Sequence, residues 1–342
     1  MKQYFWVGGY AGADEQGLGL LCWDGETRSL TWVRKWAGLE NPSWVLESRD
    51  GKHLYAVEEL NPAGRIQSLN IQNNTEREAC LPSEGADPCH LTETDTGFLL
   101  VSNYSIGSLA AFALLDGVPQ EHPSVVQHRG SGPNRARQEG PHVHSAWEKD
   151  GEILAVDLGL DRILRYTLEG GVPRESGPAI LLPPGSGPRH LCLHPGNPDV
   201  IYAVCELSSE VAVLRRQGDS FRLLQRLSTL PEDFAGENTA AAIRTDGAYV
   251  YVSNRGHDSI AILKILADGS LAPADLCPCG GRTPRDFVLT ADGCLLVACQ
   301  GSNRIAVLAP DRKKGRLSLT DVSLPALRPT CLCPSGDRGR FV

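Results

Sequence analysis

Apolar and polar residues alternate along most of the chain in short runs, such as "KHLYAVEE" and "AYVYVSN". Runs of about 4 to 8 residues with a period of two are typical of β-strands. Gly, Pro and Asp separate the runs, which indicates frequent turns. No stretch has the 3.6-residue apolar period of an amphipathic helix. The pattern therefore predicts an all-β protein.

The strand pattern recurs as a longer unit, as in "NPSWVLESRDGKHLYAVEE" and "GPRHLCLHPGNPDVIYAVCE". Each unit has a proline or its stand-in, an apolar strand, a turn, a second strand and a closing small or polar residue. Copies start at residues 41, 87, 140, 187, 238, 283 and 328, which places them 45 to 53 residues apart. A period of this length with room for four strands is typical of a β-propeller. We therefore predict a seven-bladed β-propeller with four-stranded blades.

Asp-Gly pairs at 50–51, 150–151, 246–247 and 292–293 predict hairpin turns between the first and second strands of four copies. The last copy is truncated, and residues 3–10 resemble the second strand of the unit. We expect this N-terminal strand to pair with the C-terminal blade and close the ring, which removes exposed sheet edges. The chain, 1–342, is then a single propeller domain.

The repeat alignment also predicts which side chains reach one opening of the central channel. The start of each first strand and the end of each second strand should lie at the same rim. The residues after the proline position are Ser43, Cys89, His142, Arg189, Thr239, Arg285 and Thr330. The residues that end the second strands are Gly9, Glu59, Asn103, Asp157, Glu206, Asn254 and Gln300. Neither set contains lysine, whereas ordinary solvated positions would, so the rim is predicted to hold a binding pocket.

Composition narrows the class of partner. Hydrophobic residues make up 41 % of the chain, enough for a large core, and the net charge of −8 argues against nucleic acid or an anionic membrane surface. No apolar run is long enough to span a membrane, and the N-terminus lacks the pattern of a secretory signal. The 11 cysteines are scattered through strand-like runs, as expected of reduced thiols. We expect a cytoplasmic monomer or weak homodimer with a small-molecule ligand and no metal or other cofactor.

The segment 130–146, "GSGPNRARQEGPHVHSA", supplies the extra length of the longest repeat. Long polar loops on a rigid scaffold often carry binding function. This segment is predicted to bring His142 and His144 to the rim, although the sequence leaves open which of them faces the channel. Arg137, with Arg135 and Gln138, either forms the edge of the pocket or only anchors the loop.

Several polar strings in their order along the chain resemble the lactonase family of seven-bladed propellers, which includes bacterial 6-phosphogluconolactonases. They are "GSGPNRARQEGPHVHSA", "VDLGLDRILRY", "GPRHLCLHP", "AVCELSSEV", "NTAAAIRTDGAYVYVSNRGHDSIAI" and "TPRDFVLTADG". The resemblance spans nearly the whole chain. It implies a hydrolase that opens a sugar lactone, with 6-phosphogluconolactone as the expected substrate, in carbohydrate metabolism.

The resemblance also implies catalytic residues. A fungal relative that cyclises carboxymuconate uses one His, two Arg and one Glu, which match His144 (with His142 beside it), Arg189, Arg255 and Glu206 by motif. A histidine can activate water near neutral pH, and arginines can bind an oxyanion or the anionic tail of a substrate. Glu206 either orients the histidine, acts as the base itself, or is only a structural ion-pair partner of Arg189.

The remaining expectations come from the rim alignment. The predicted substrate-binding residues are Arg285, Asn103, Asn254, Glu59, Gln300 and Arg137. His90 and His190 are expected to face neighbouring sheets and not the axis. One departure concerns Ala242, where members of the family often have glutamate, and it could change specificity.

Two other functions fit the same sequence. One is a lactone-forming or isomerising enzyme that acts on another carboxylated substrate, because fold alone does not define chemistry. The other is a non-catalytic propeller that serves as a protein-binding platform. A platform predicts exposed apolar residues on one rim, whereas the rim positions here are polar and aromatic residues make up only 6 % of the chain.

Overall fold

A computed structural model describes residues 1–73, 75–311 and 316–336. The described residues form seven antiparallel sheets, each built from consecutive strands with one exception. The exception, numbered blade 7, contains the first three strands and the last. These first three are β1 (Lys2–Gly9), β2 (Leu18–Asp24) and β3 (Ser29–Trp36).

Blades 1 to 3 follow in chain order. Blade 1 contains β4 (Val45–Glu47), β5 (His53–Glu58), β6 (Arg65–Asn70) and β7 (Glu76–Pro82). Blade 2 contains β8 (Pro88–Glu93), β9 (Phe98–Asn103), β10 (Ser108–Leu115), β11 (Val118–Pro119) and β12 (Ser124–Gln127). Blade 3 contains β13 (Val143–Lys149), β14 (Glu152–Asp157), β15 (Arg162–Glu169), β16 (Val172–Glu175) and β17 (Ile180–Leu181). In blades 2 and 3 the fourth strand is divided into two short segments that pair with the same third strand.

Blades 4 to 6 have four strands each. Blade 4 contains β18 (Pro188–Leu193), β19 (Val200–Cys205), β20 (Glu210–Gln217) and β21 (Ser220–Ser228). Blade 5 contains β22 (Thr239–Thr245), β23 (Tyr249–Arg255), β24 (Ser259–Ile265) and β25 (Leu271–Pro278). Blade 6 contains β26 (Pro284–Leu289), β27 (Leu295–Cys299), a 3₁₀ turn (Gln300–Ser302), β28 (Arg304–Asp311) and β29 (Arg316–Pro325).

The last strand, β30 (Pro329–Ser335), pairs antiparallel with β1, so blade 7 joins the two ends of the chain. Trp6 lies opposite Cys333 in this pairing, and β2 and β3 complete the sheet. The predicted seven-bladed propeller is confirmed. The helical segments within the described ranges are too short and too polar to cross a membrane.

Apolar side chains fill the spaces between neighbouring blades. Each of seven buried clusters contains residues of two adjacent sheets; Val57 of blade 1 and Val101 of blade 2 share one of them. Because both faces of a blade are covered, inner strands such as β5 and β19 are buried along their whole length. The core is therefore a ring of layers around the channel, and it holds the rim residues on rigid strands.

A bulge interrupts the pairing of the first and second strands in most blades. In blade 4, Pro188 pairs with Cys205 and His190 with Val204, so Arg189 is the extra residue. A bulge leaves one residue unpaired and re-aims its side chain. Equivalent single extra residues in other blades are Cys89, His144, Arg285 and Thr330. The bulges define the set of side chains that start at the rim.

Candidate active site

Blade 3 resolves the choice between the two histidines that the sequence left open. Val143 pairs with Asp157 in blade 3, and Pro188 pairs with Cys205 in the same way in blade 4. Val143 therefore occupies the proline position, and His144 occupies the bulge. The sequence alignment that made His142 equivalent to Arg189 was wrong by two residues. The cause is local: blade 3 has valine where most other copies have proline, and its own proline, Pro141, lies two residues earlier. His144 is therefore the residue equivalent to Arg189.

The second set of rim residues also needs a correction. The last paired residues of β9 and β23 include Asn103 and Asn254, both fully buried. Asn103 Nδ2 donates to Ser83 O at 3.0 Å, and Asn254 Nδ2 donates to Thr229 O at 2.9 Å. Each amide binds the backbone directly after the last strand of the preceding blade, so the structure does not bring the predicted substrate ligands Asn103 and Asn254 into the pocket.

The residues that reach the pocket are those immediately after the second strand of a blade. Glu59, Glu206 and Gln300 were predicted from the sequence and occupy this position in blades 1, 4 and 6. Tyr10 and Tyr104 occupy it in blades 7 and 2 and were missed. The sequence prediction chose the preceding residues, Gly9 and Asn103, as the ends of these two strands. An alignment shifted by one residue in blades 7 and 2 would have identified both tyrosines.

Glu206 is the centre of the site. Its Oε2 lies 2.7 Å from Arg255 Nη2 and 3.1 Å from Arg189 Nε. Its Oε1 accepts a hydrogen bond at 2.6 Å from Arg137 Nη2. Sequence reasoning proposed all four residues, and the structure brings them together from blades 4 and 5 and the loop before blade 3.

The charge on Glu206 follows from these contacts. Burial alone raises the pKa of a carboxyl group, but Arg255 and Arg189, with smaller effects of His144 and Arg137, hold the pKa of Glu206 well below its usual range. The carboxylate is ionised, and both oxygens are occupied by guanidinium groups. This arrangement makes Glu206 an anchor for the arginines and a poor general base.

Arg189 is the most deeply buried cation of the site. Its Nη1 donates to Ala241 O at 2.9 Å. Burial, with the charges of Arg255 and Arg285, lowers the pKa of Arg189 to about 9. The guanidinium remains charged at neutral pH, and a negative group that developed nearby would be stabilised strongly because the surroundings exclude water.

His144 lies against these charges. Burial, followed by the charge of Arg189, lowers the pKa of His144 well below its usual value, so the ring is neutral at pH 7. Its Nδ1 is 3.9 Å from the Cys89 thiol sulfur, a weak contact. The ring packs edge-to-face on Tyr104, with centroids 5.6 Å apart. A neutral imidazole next to arginines can accept a proton from water.

His142 has a different environment. Its Nδ1 donates to Tyr104 O at 3.0 Å, and its Nε2 lies 3.3 Å from Glu139 Oε1. Its ring stacks on that of Tyr104 with centroids 4.4 Å apart. Both ring nitrogens of His142 are thus engaged, and the residue serves as a wall of the site.

The loop 130–142 is held by Gln138, which is buried. Its Nε2 donates to Leu158 O at 2.9 Å and to Asp161 Oδ1 at 2.8 Å. Next to this anchor, Arg137 reaches Glu206 with its side chain 40 % exposed, whereas Arg135 is exposed. Gln138 therefore anchors the loop, and Arg137 contacts Glu206 from the same loop.

The opposite part of the mouth is formed by blades 6, 7 and 1. The Arg285 guanidinium carbon lies 5.3 Å from the centroid of the Tyr10 ring. The Tyr10 hydroxyl donates to Glu59 Oε1 at 2.7 Å. Gln300 is half-buried at the start of the 3₁₀ turn, where its backbone N–H donates to Thr283 O at 3.0 Å.

Below the site, rings from four blades block the channel. His190 lies 5.2 Å from His144 and 5.5 Å from His90, and Trp44 lies 4.4 Å from His90, all measured between ring centroids. Trp147 is 6.0 Å from His90. The expectation that His90 and His190 face neighbouring sheets was wrong. Trp44 of blade 1 also lies 5.4 Å from His190 of blade 4, and residues of these two blades can meet only across the axis, so the rings separate the site from the other end of the channel.

Ala242 lies in the bulge of β22, where Ala241 and Ala242 stand opposite the single residue Ser253 of β23. Its side chain is fully buried in the apolar cluster between blades 5 and 6. The site therefore lacks the carboxylate that the resemblance places at this position, and Glu206 is the carboxylate that balances the arginines.

Comparison with known proteins shows the family to which this propeller belongs. The family model described as "Lactonase, 7-bladed beta-propeller" matches residues 4–334. A 6-phosphogluconolactonase of Bacillus subtilis is 33 % identical, over 97 % of this chain and 98 % of that protein. The crystal structure of a protein from Lactobacillus plantarum has a TM-score of 0.89 at 27 % identity and covers 100 % of both chains. A periplasmic gluconolactonase of Pseudomonas aeruginosa has a TM-score of 0.89 at 27 % identity, over 98 % of this chain and 99 % of that one.

Proposed function

Since the chain belongs to the family of seven-bladed β-propeller lactonases, we propose that it hydrolyses the lactone of a sugar acid, with 6-phosphogluconolactone as the substrate. One observation carries the proposal. A neutral, buried His144 stands beside the cluster in which Glu206 holds Arg137, Arg189 and Arg255. This combination offers a proton acceptor and fixed positive charge at one opening of the channel.

Lactone opening needs an activated water and a stabilised oxyanion. His144 takes a proton from water as the water oxygen bonds to the lactone carbonyl carbon. Arg189 and Arg255 stabilise the negative charge that forms on the carbonyl oxygen. The carbon–oxygen bond of the ring then breaks, and protonated His144 returns its proton to the leaving oxygen. Glu206 fixes the two guanidinium groups for this role.

The site also bears on the alternatives. A platform for protein partners would bury apolar side chains at the rim, whereas this mouth is lined by charged groups held in place by hydrogen bonds. An enzyme that forms a lactone would use the same residues in reverse, so the direction and the substrate are decided by assay. The cytoplasm remains our prediction for the location, and the Pseudomonas aeruginosa relative is described as periplasmic.

Lactone hydrolysis, corrected for spontaneous ring opening, tests the proposal. We expect the wild-type protein to accelerate hydrolysis and Arg189→Ala to lower kcat/KM by about 100-fold, the usual effect of losing an oxyanion donor. The matched control is Arg226→Ala, which removes an exposed arginine paired with Glu210 on the outer strand β21. It should leave kcat/KM unchanged. Equal rates for wild-type protein and buffer would overturn the proposed function.

A further inference from the structure

The rim residues divide into two groups that lie on different sides of the mouth. Blades 3 to 5 and the preceding loop supply the Glu206 cluster, which the proposed function uses for the reaction. Blades 6, 7 and 1 supply Arg285, Tyr10 and Glu59. A sugar acid lactone is longer than its ester group, so the second group can contact the part of the substrate that does not react.

Arg285 differs from the other arginines of the site. Arg137, Arg189 and Arg255 each lie within ion-pair distance of Glu206. The Arg285 side chain forms no ion pair or hydrogen bond within residues 1–73, 75–311 and 316–336, although it is partly buried. Guanidinium N–H groups that are partly buried without a hydrogen-bond acceptor are costly, and an anionic ligand would supply the acceptor oxygens.

The surroundings of Arg285 orient it. Its guanidinium lies over the Tyr10 ring, and the hydroxyl of Tyr10 is held at 2.7 Å by Glu59 Oε1. A guanidinium over an aromatic face is stabilised by a cation–π interaction and keeps its N–H edge free. That edge is a planar fork that matches two oxygens of a phosphate or a carboxylate.

We propose that Arg285 binds the anionic group that a sugar lactone carries away from its reacting carbonyl, and that Tyr10 and Glu59 position Arg285 for this contact. This inference rests on the proposed function and deepens it. It separates the two tasks of the arginines: Arg189 and Arg255 act on the ester, and Arg285 selects charged lactones over neutral ones. The anionic group that Arg285 binds can be a phosphate ester or a second carboxylate.

Three lactones distinguish these cases: glucono-1,5-lactone, its 6-phosphate, and a glucaric acid lactone with a carboxylate in place of the phosphate. For Arg285→Gln we expect kcat/KM to fall about 30-fold for the charged lactone that the wild type prefers, mostly through KM, as for the loss of a charge-assisted hydrogen bond. For the neutral lactone, kcat/KM should change by less than about threefold. Arg282→Gln, an exposed arginine three residues earlier, is the matched control and should change neither.

Tyr10 is tested as a positioning residue. Tyr10→Leu should raise KM for the preferred charged lactone about threefold, the size of a cation–π interaction, with kcat unchanged. Tyr10→Phe keeps the aromatic ring, so its KM for the charged lactone should be close to that of the wild type. A merely structural role would instead lower kcat for every lactone alike, or lower the melting temperature of Tyr10→Leu without a change in discrimination.

Product binding measured by calorimetry makes the test independent of catalysis. Wild-type protein should bind 6-phosphogluconate or glucarate more tightly than gluconate, and Arg285→Gln should lose about 10-fold or more of the affinity for the charged ligand alone. Arg285→Lys, which keeps the positive charge, should retain part of the affinity for the charged ligand. If no lactone is hydrolysed but this selective loss is seen, the proposed function fails and the anion site stands. Equal weakening of all ligands, or none, would overturn the anion site.

Discussion

Arg137 and Glu206 are 69 residues apart in the chain, yet Arg137 Nη2 donates to Glu206 Oε1 at 2.6 Å. The contact joins the loop before blade 3 to the end of the second strand of blade 4. Arg137 Nη2 also lies 3.3 Å from the Tyr104 hydroxyl, so one side chain links three parts of the mouth. The loop is therefore part of the site and does more than cover it.

The first prediction concerns this link. Arg137→Ala should lower kcat/KM for lactone hydrolysis about 10-fold, because one oxygen of Glu206 loses a charge-assisted hydrogen bond and the arginine positions relax. Arg135→Ala is the matched control, since Arg135 is an exposed arginine of the same loop. If Arg135→Ala lowered the rate as much as Arg137→Ala, the loop as a whole and not the Arg137 contact would be responsible.

The second prediction concerns stability and Glu206. Glu206→Gln removes the counter-charge of buried Arg189 and Arg255, so we expect the free energy of unfolding at pH 7 to fall by about 3 kcal/mol or more. The pKa of Glu206 is depressed in the folded protein. Its ionisation therefore stabilises the fold above the pKa of the unfolded chain, near 4.5, and that contribution declines as the pH falls below this value.

Urea unfolding at pH 7 and at pH 4 measures both effects. The difference in free energy of unfolding between wild type and Glu206→Gln should be smaller at the lower pH. A difference that grows on acidification would contradict an ionised Glu206.

The third prediction concerns the pH dependence of the rate. The pKa of His144 is well below its usual value because of burial and Arg189. His144 should remain a free base when the pH falls through 6.5, and kcat/KM should show no inflection there. His144→Gln should lower kcat/KM by at least about 100-fold, whereas His142→Gln should have a smaller effect because its nitrogens are already engaged. An inflection near pH 6.5 would contradict a neutral His144 as the base.

The fourth prediction concerns the rings that block the channel. Burial, with the charges of Arg244 and Arg189, lowers the pKa of His90 to about 3, and burial also lowers that of His190. Both histidines are neutral when folded and become protonated in the unfolded chain below pH 6.5. Stability should therefore decrease as the pH falls from about 6.5 towards 4. The variant His90→Gln should show a shallower decrease in urea unfolding, and an unchanged slope would contradict the prediction.

The fifth prediction tests the single domain. β1 pairs with both β2 and β30, and each apolar cluster is shared by two blades. Fragments 1–186 and 187–342 should therefore not fold separately, because each exposes two apolar blade faces and the first lacks the partner of β1. Circular dichroism and urea unfolding of the two fragments measure this. A cooperative transition in either fragment would mean that the ring contains an independent unit.

Much of this architecture was predictable from local pattern. Strands alternate, turns carry Asp-Gly, and the repeat recurs at nearly constant spacing, so the blade number and the order of the strands follow from sequence. Asp150 and Gly151, for example, both adopt positive φ in the tight turn that their dipeptide predicts. Arg189 and Glu206 also occupy fixed places in the repeat, whereas His144 and Arg255 were identified from the resemblance to the lactonase family.

The register of the rim was not predictable in the same way. A shift of one residue along a strand turns a side chain to the other face of the sheet, and bulges introduce such shifts. The sequence alone therefore confused Asn103 with Tyr104, and left His142 and His144 as alternatives.

The sequence by itself determined the strands, the number of blades and the set of polar residues near one rim, since these depend on local periodicity. The tertiary structure decided which members of that set face one another. Three arginines meet on Glu206, whereas the Arg285 side chain has no ion-pair partner in the described part of the chain, and His90 meets His190 on the axis. These contacts depend on the closure of the ring, which brings residues of separate blades within a few ångströms of each other at distances in sequence that no local pattern encodes.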